Sequence, residues 1–244
     1  MTDKYSTTLK QAIELYNKKK YIEAKLEFLK VAKEDSGDFE ATEAILYLGK
    51  IALRGDGEFF FDAKNYLDYV IMSGNSRQKE QAYFELANKY RLLENDKESI
   101  SYYQKCLELF PEDTYCLRNL ASLYLKLEKL NEAEQTYYKL IKASENAKMP
   151  SKKVIGINTA YIGLAKINLR KGDIKMFLSF LNKVEIVTEK DAELVDDIQA
   201  DLMFYYEKYP EAIAKLQKSL KSKSFYIREY TKEKVAVLQA LSRN

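Results

Sequence analysis

Two stretches of this chain repeat each other without a gap. YRLLENDKESISYYQKCLELFP begins at Tyr90, and YLKLEKLNEAEQTYYKLIKASE begins at Tyr124, 34 residues later. Tyr90 then falls on Tyr124, Leu93 on Leu127, Glu94 on Glu128, Glu98 on Glu132, Tyr103 on Tyr137 and Lys105 on Lys139. Few folds are compatible with a uniform repeat of this length, because each copy must be one supersecondary unit that packs on its neighbours.

Within each copy the apolar residues recur at spacings of three and four. Tyr83, Leu86, Ala87 and Tyr90 form one run, and Ile100, Tyr103, Cys106 and Leu107 the next. Leu117, Leu120, Ala121 and Tyr124, then Ala133, Tyr137, Leu140 and Ile141, do the same in the second copy. That period predicts one apolar helix face per run. The polar stretches 93–98 and 127–132 predict a tight turn between two antiparallel helices. Small residues at 87, 99, 121 and 133 suit close helix crossings, and Tyr103 and Tyr137 fill the space beside them. One hairpin cannot cover its own apolar face, so stacking is required. With only 3 Pro and 8 Gly in 244 residues, long helices are permitted and an all-α fold is expected.

A 34-residue helix-turn-helix unit with small and aromatic residues at these places resembles the tetratricopeptide repeat. Leu86-Ala87, Tyr90, Ser99, Tyr103, Cys106 and Pro111 fall on successive signature positions. The resemblance implies a right-handed superhelical solenoid of about six repeats, at roughly 5–38, 42–76, 80–113, 114–147, 158–190 and 193–222, in a single domain spanning 1–244. A capping helix is expected over 225–241, with Ile227, Val235, Leu238 and Leu241 on its apolar face. Leu48 to Asn75, with its Gly49, Gly55-Asp56-Gly57, Asp62 and Gly74, resembles the related Sel-like repeat. The fourth and fifth units are offset by ten extra residues, and Ser144 to Lys153 is read as that insertion.

Charge and composition exclude several functions. Lys and Arg number 40 against 37 Asp and Glu, giving a net charge of +3, too balanced to mark a nucleic-acid protein. No apolar run is long enough to span a bilayer, and the N-terminus has no signal-like apolar core. There is no His, which removes Ser-His-Asp and Cys-His catalysis and His-ligated metals. No GxxxxGK[ST] or GxGxxG stretch is present to hold phosphates. Cys106 and Cys116 are the only cysteines. They form no CxxC pair and cannot supply four thiolates, so no metal or cofactor is expected, and a reducing cytoplasm is the simplest setting. Cys106 is expected to act as a small core hydrophobe and Cys116 to be partly exposed.

By the same resemblance, binding residues lie on the first helix of each unit, facing a concave groove. Carried over unit by unit, these are Lys50 and Arg54; Phe84, Asn88 and Arg91; Tyr115, Arg118 and Lys126; and Ile162, Lys166 and Arg170. Leu9 and Asn17 belong to the first unit, and Asp197, Asp201 and Tyr205 to the last. The candidate partner-binding set is Lys50, Arg54, Phe84, Asn88, Arg91, Arg118, Lys126, Lys166 and Arg170, a basic stripe with an acidic end. Arg suits carboxylates because its planar fork bonds them in pairs, and the Asn88 amide suits a peptide backbone. The opposing reading is a solvated helix face. The family's clamp for acidic C-termini uses Lys and Asn at the position two before the Leu-Ala pair and the position two after it; Phe84 occupies the former, so that clamp is not reproduced here.

A non-enzymatic module binding another protein or an acidic peptide is therefore the leading expectation, with homodimerisation a further one. Single-stranded RNA binding and a peptide-sensing bacterial regulator are the alternatives.

Overall fold

The structure is a computed structural model. It describes residues 6–33, 39–54, 60–187, 195–201, 203, 207–217, 231–232, 234–236 and 238–239. Among these residues there are helices and turns and no strand, so the chain is all-α and of the solenoid class. Two compact units are formed, residues 1–123 and 124–244.

The first unit runs α1 (Thr7–Asn17), α2 (Tyr21–Ala32), α3 (Phe39–Ala52), α4 (Phe60–Ser73), α5 (Ser76–Leu92) and α6 (Asp96–Leu109), and ends within α7 (Thr114–Lys126). Consecutive helices from α1 to α6 pack in turn, and α3 also touches α5. The core forms in layers. Leu9, Ala12, Ala24, Phe28, Val31, Ala44 and Leu48 make one cluster, and Leu46, Leu67, Val70, Ala82 and Leu86 the next. Small residues set the close approaches. Gly49 lies against the Leu67 side chain, where a Cβ would have no room, and the Ser99 hydroxyl donates to the Ala87 carbonyl at 2.9 Å. Tyr103 is wholly buried beside them.

In the second unit come α8 (Leu130–Glu145), α9 (Pro150–Arg170), α10 (Ile174–Leu181), α11 (195–201) and α12 (Tyr209–Leu216). The ten-residue offset is absorbed mainly by α9, which has 21 residues where α7 has 13. Pro150 opens α9, a position where its missing N–H costs nothing. The described positions between 231 and 239 are helical, and Val235 and Leu238 are buried against Ala200, Ala212 and Leu216. Ile227 and Leu241 lie outside the described residues, as do Gly55-Asp56-Gly57 of the Sel-like segment.

The turns record the repeat in the backbone. Lys19, Glu94, Glu128, Gly172 and Glu207 all have positive φ, between 57° and 75°. After each, an N–H bonds a carbonyl five residues back: Lys20 to Leu15, Asn95 to Tyr90, Lys129 to Tyr124, Asp173 to Asn168 and Lys208 to Met203, at 2.8–3.0 Å. This is the Schellman closure, which satisfies carbonyls left over at a helix end. Only one of the five is Gly, so four turns hold a side chain where L-residues are strained.

Ala121 is fully buried on α7. Ala121→Trp forces an indole into a crossing sized for a methyl group, and the expected cost is ~1–3 kcal/mol or more. Thermal melting followed by circular dichroism checks this, and an unchanged melting curve would place Ala121 away from any packed crossing.

Candidate functional site

In the first unit the predicted binding residues line up on the first helices of their hairpins: Lys50 on α3 and Arg54 just beyond it, Phe84, Asn88 and Arg91 on α5, and Arg118 on α7. Their environments differ. The Lys50 amine sits 4.7 Å from the Tyr47 ring and donates to Gln81 Oε1 at 2.7 Å. Burial lowers its pKa, while the charges of Glu85, Glu43 and Glu80 pull the other way. Burial likewise pushes the Glu85 carboxyl up, against Lys50 and Arg54. Lys50 is thus held by a partly buried polar layer that also contains Gln78, which donates to Glu43 at 3.0 Å.

Arg54 is clasped by aromatics. Its guanidinium lies 4.6 Å from the Tyr21 ring and 5.5 Å from that of Tyr16, and it donates to the Tyr16 hydroxyl at 3.2 Å. That hydrogen bond holds its pKa above the ordinary value.

Phe84, Asn88 and Arg91 fall one turn apart along α5. The Phe84 ring meets Tyr103 at 6.3 Å and Tyr115 at 6.5 Å, both edge to face. Asn88 Oδ1 accepts from the Tyr103 hydroxyl at 2.6 Å and from Asn119 Nδ2 at 3.4 Å. Arg91 and Asn119 also bond the Tyr103 hydroxyl. Burial still dominates and raises that phenol's pKa, with the nearby Arg118 charge opposing. Arg118 lies 5.2 Å over the ring of Tyr115, which is 45% exposed. The result is a polar floor of Asn88, Asn119 and Tyr103, flanked by Arg91 and Arg118 and walled by Phe84 and Tyr115.

In the second unit, Lys126 is exposed at the end of α7 and Lys166 is half-buried on α9. Arg170 serves the fold: it donates to the Leu125 carbonyl at 2.6 Å and pairs with Glu128 at 3.2 Å, closing the C-terminal end of α7 where carbonyls need donors. The acidic end expected at Asp197 and Asp201 is neutralised from within. Lys234 reaches Asp197 at 2.7 Å and Asp201 at 2.6 Å.

Several of these partners escaped the sequence reading. Glu85, Gln81, Asn119, Tyr16, Tyr21 and Lys234 lie on other helices from the residues they hold, and no spacing rule links them. The cysteine expectation is also corrected. Cys116 is buried, not partly exposed; Cys106 is fully buried in the core as expected, and the two form a disulfide. Ten residues separate them, and that segment folds back as the turn between α6 and α7, which brings them together.

A stack of helical hairpins with a side-chain row along its first helices defines a helical-repeat protein. Tetratricopeptide-repeat models match residues 80–113 and 117–146, the two copies that repeat most clearly. These two segments are tetratricopeptide repeats, and repeats of this kind are protein–protein interaction scaffolds. A solved tetratricopeptide repeat protein from Parabacteroides merdae superposes with a TM-score of 0.54 at 14% identity, covering 95% of this chain and 97% of that one. PilF of Pseudomonas aeruginosa gives 0.54 at 18% identity, over 84% and 91% of the two chains. At these identities the likeness is one of fold. The BBSome complex member BBS4 homolog of Drosophila melanogaster is 26% identical over 159 residues, 65% of this chain. The chain spans 30% of the length of that relative. Among the described residues, no helix is long and apolar enough to cross a membrane.

Proposed function

We propose that the chain is a non-enzymatic interaction module that holds an acidic segment of a partner protein, and that it works in the cytoplasm. The observation that carries this reading is the placement of Arg91 and Arg118 on either side of the Asn88–Tyr103–Asn119 floor. Two guanidinium forks suit carboxylates. The floor presents amide groups to a peptide backbone, and the Phe84 and Tyr115 rings give an apolar side chain somewhere to rest. Lys50, Arg54 and Arg170 contribute to this reading only as local field, because each is engaged within the fold. Lys126 and Lys166 would extend the contact of a longer partner.

The test is a peptide array of acidic, neutral and basic sequences, probed with the wild-type chain and with Arg91→Glu/Arg118→Glu. Acidic peptides should be retained by the wild type and lost, by tenfold or more, in the reversed variant. Equal binding by both proteins would defeat the reading. So would a wild type that ignores the array and takes single-stranded RNA with a steep salt dependence, the signature of phosphate contacts.

A further inference from the structure

Three buried groups converge from three helices of the first unit: Glu80 on α5, Cys106 on α6 and Cys116 in the first turn of α7. Each offers a donor atom, and these atoms all lie within 4.8 Å of one another. Both cysteines are fully buried and Glu80 is 4% exposed. The Glu80 carboxylate is aimed: Oε1 lies 3.6 Å from Cys106 Sγ, and Oε2 lies 2.8 Å from the Arg77 guanidinium.

With the disulfide formed, this arrangement is poorly matched. Neither sulfur carries a proton, so Oε1 faces an atom that cannot donate, and a buried acceptor without a donor is costly. With the disulfide reduced, the same atoms become two thiols and a carboxylate, a donor set that suits a borderline-soft cation such as zinc. The charges also close. Two thiolates and a carboxylate carry three negative charges, a divalent ion offsets two, and Arg77 offsets the third. The three protein donors leave one tetrahedral position for water. A cavity of about 330 Å³ is bordered by Arg77, Phe110 and Asp113, and Asp113 caps the turn that carries Cys116, accepting from its N–H at 2.8 Å.

We propose that Glu80, Cys106 and Cys116 hold one thiophilic divalent cation of the zinc class, and that the site exists only when the disulfide is reduced. A low-molecular-weight dithiol supplies the electrons. It becomes a cyclic disulfide, and its two electrons and two protons convert the Cys106–Cys116 bond to two thiols. The entering ion displaces both thiol protons to solvent as two metal–sulfur bonds form. The disulfide and the metal site are alternative states of the same two sulfurs, and the site stands apart from the acidic-partner reading.

The experiment titrates the full chain with Zn²⁺ against a chromophoric chelator and with Cd²⁺ followed by sulfur-to-metal charge-transfer absorption. Both titrations are run on reduced and on oxidised protein. The reduced chain should take one ion with the charge-transfer band, and the oxidised chain none. Glu80→Gln should weaken uptake about tenfold or more, and Cys116→Ser should abolish the band. Cys116→Ala is made in parallel, because a buried serine hydroxyl can itself unfold a protein, and circular dichroism confirms the fold of each variant. The proposal is overturned if the folded, reduced chain takes no ion. It is equally overturned if the oxidised chain takes as much, if the folded Cys116 variants keep the band, or if Glu80→Gln binds as tightly as the wild type.

Discussion

Gly163→Leu is expected to destabilise the second unit by about 3 kcal/mol or more, at the upper end of what overpacking costs. Gly163 lies midway along α9 with the Tyr137 ring of α8 laid directly on it, and a Cβ built there would sit well inside contact distance of three ring carbons. The ring has no retreat, because Tyr137 is 2% exposed. Even Gly163→Ala should lower the melting temperature by several degrees. Tyr137→Ala should cost a few kcal/mol by leaving a cavity. Gly163→Ala combined with Tyr137→Ala should cost clearly less than the sum of the two single changes, since the new methyl group fills part of the space the ring vacates. A melt of Gly163→Ala that overlays the wild type, or strict additivity in the cycle, would show that this contact does not set the helix spacing.

Removing the Lys234 ammonium is expected to have the second large effect. Its side chain is 16% exposed, and it holds both Asp197, also 16% exposed, and Asp201, 34% exposed. Lys234→Met keeps the stem and deletes the charge, leaving two carboxylates without their cation. A loss of about 2 kcal/mol or more is expected, because stripping one partner from a partly buried ion cluster leaves the others uncompensated. Asp201→Asn should cost less, since Lys234 keeps Asp197. The pH dependence has a definite sign. Burial disfavours the ammonium, but the Asp201 charge and the hydrogen bonds to Asp197 and Asp201 outweigh it, so the folded pKa is raised. In the unfolded chain the amine titrates at about 10.4. Stability from this cluster is therefore fully present below that pH and is lost as pH rises through the higher folded value. Urea unfolding of both proteins from pH 7 to 11 checks this. The gap between wild type and Lys234→Met should narrow above about pH 10.4, and a constant gap would sink the assignment.

The fold was legible in the sequence because it rests on spacing. Apolar residues three and four apart, small residues opposite large ones, and a turn every 34 residues are local statements, and Tyr103, Leu86 and Ala121 are buried as that pattern requires. The site was legible only as a list of positions on first helices. Whether a cation there is exposed or engaged depends on what the next helix brings. Arg91 stays exposed while reaching the Tyr103 hydroxyl, whereas Lys50 is bonded to Gln81 across the α3–α5 contact and Arg170 is bonded to a carbonyl 45 residues away. The pairing of the acidic end was hidden for the same reason, since Lys234 lies 37 residues beyond Asp197. The cysteines differ in kind: their pairing depends on the path of one turn, and the carboxylate facing them belongs to a third helix.

The left-handed turns have a consequence for how the hairpins depend on one another. Lys19, Glu94, Glu128 and Glu207 each adopt a left-handed backbone, which costs an L-residue roughly 1–2 kcal/mol. A hairpin released from its neighbours keeps that local disadvantage and loses the packing that outweighs it. Detached hairpins are thereby held below the threshold of independent folding, and the equilibrium favours neighbours that form and dissolve together over a chain that frays one hairpin at a time.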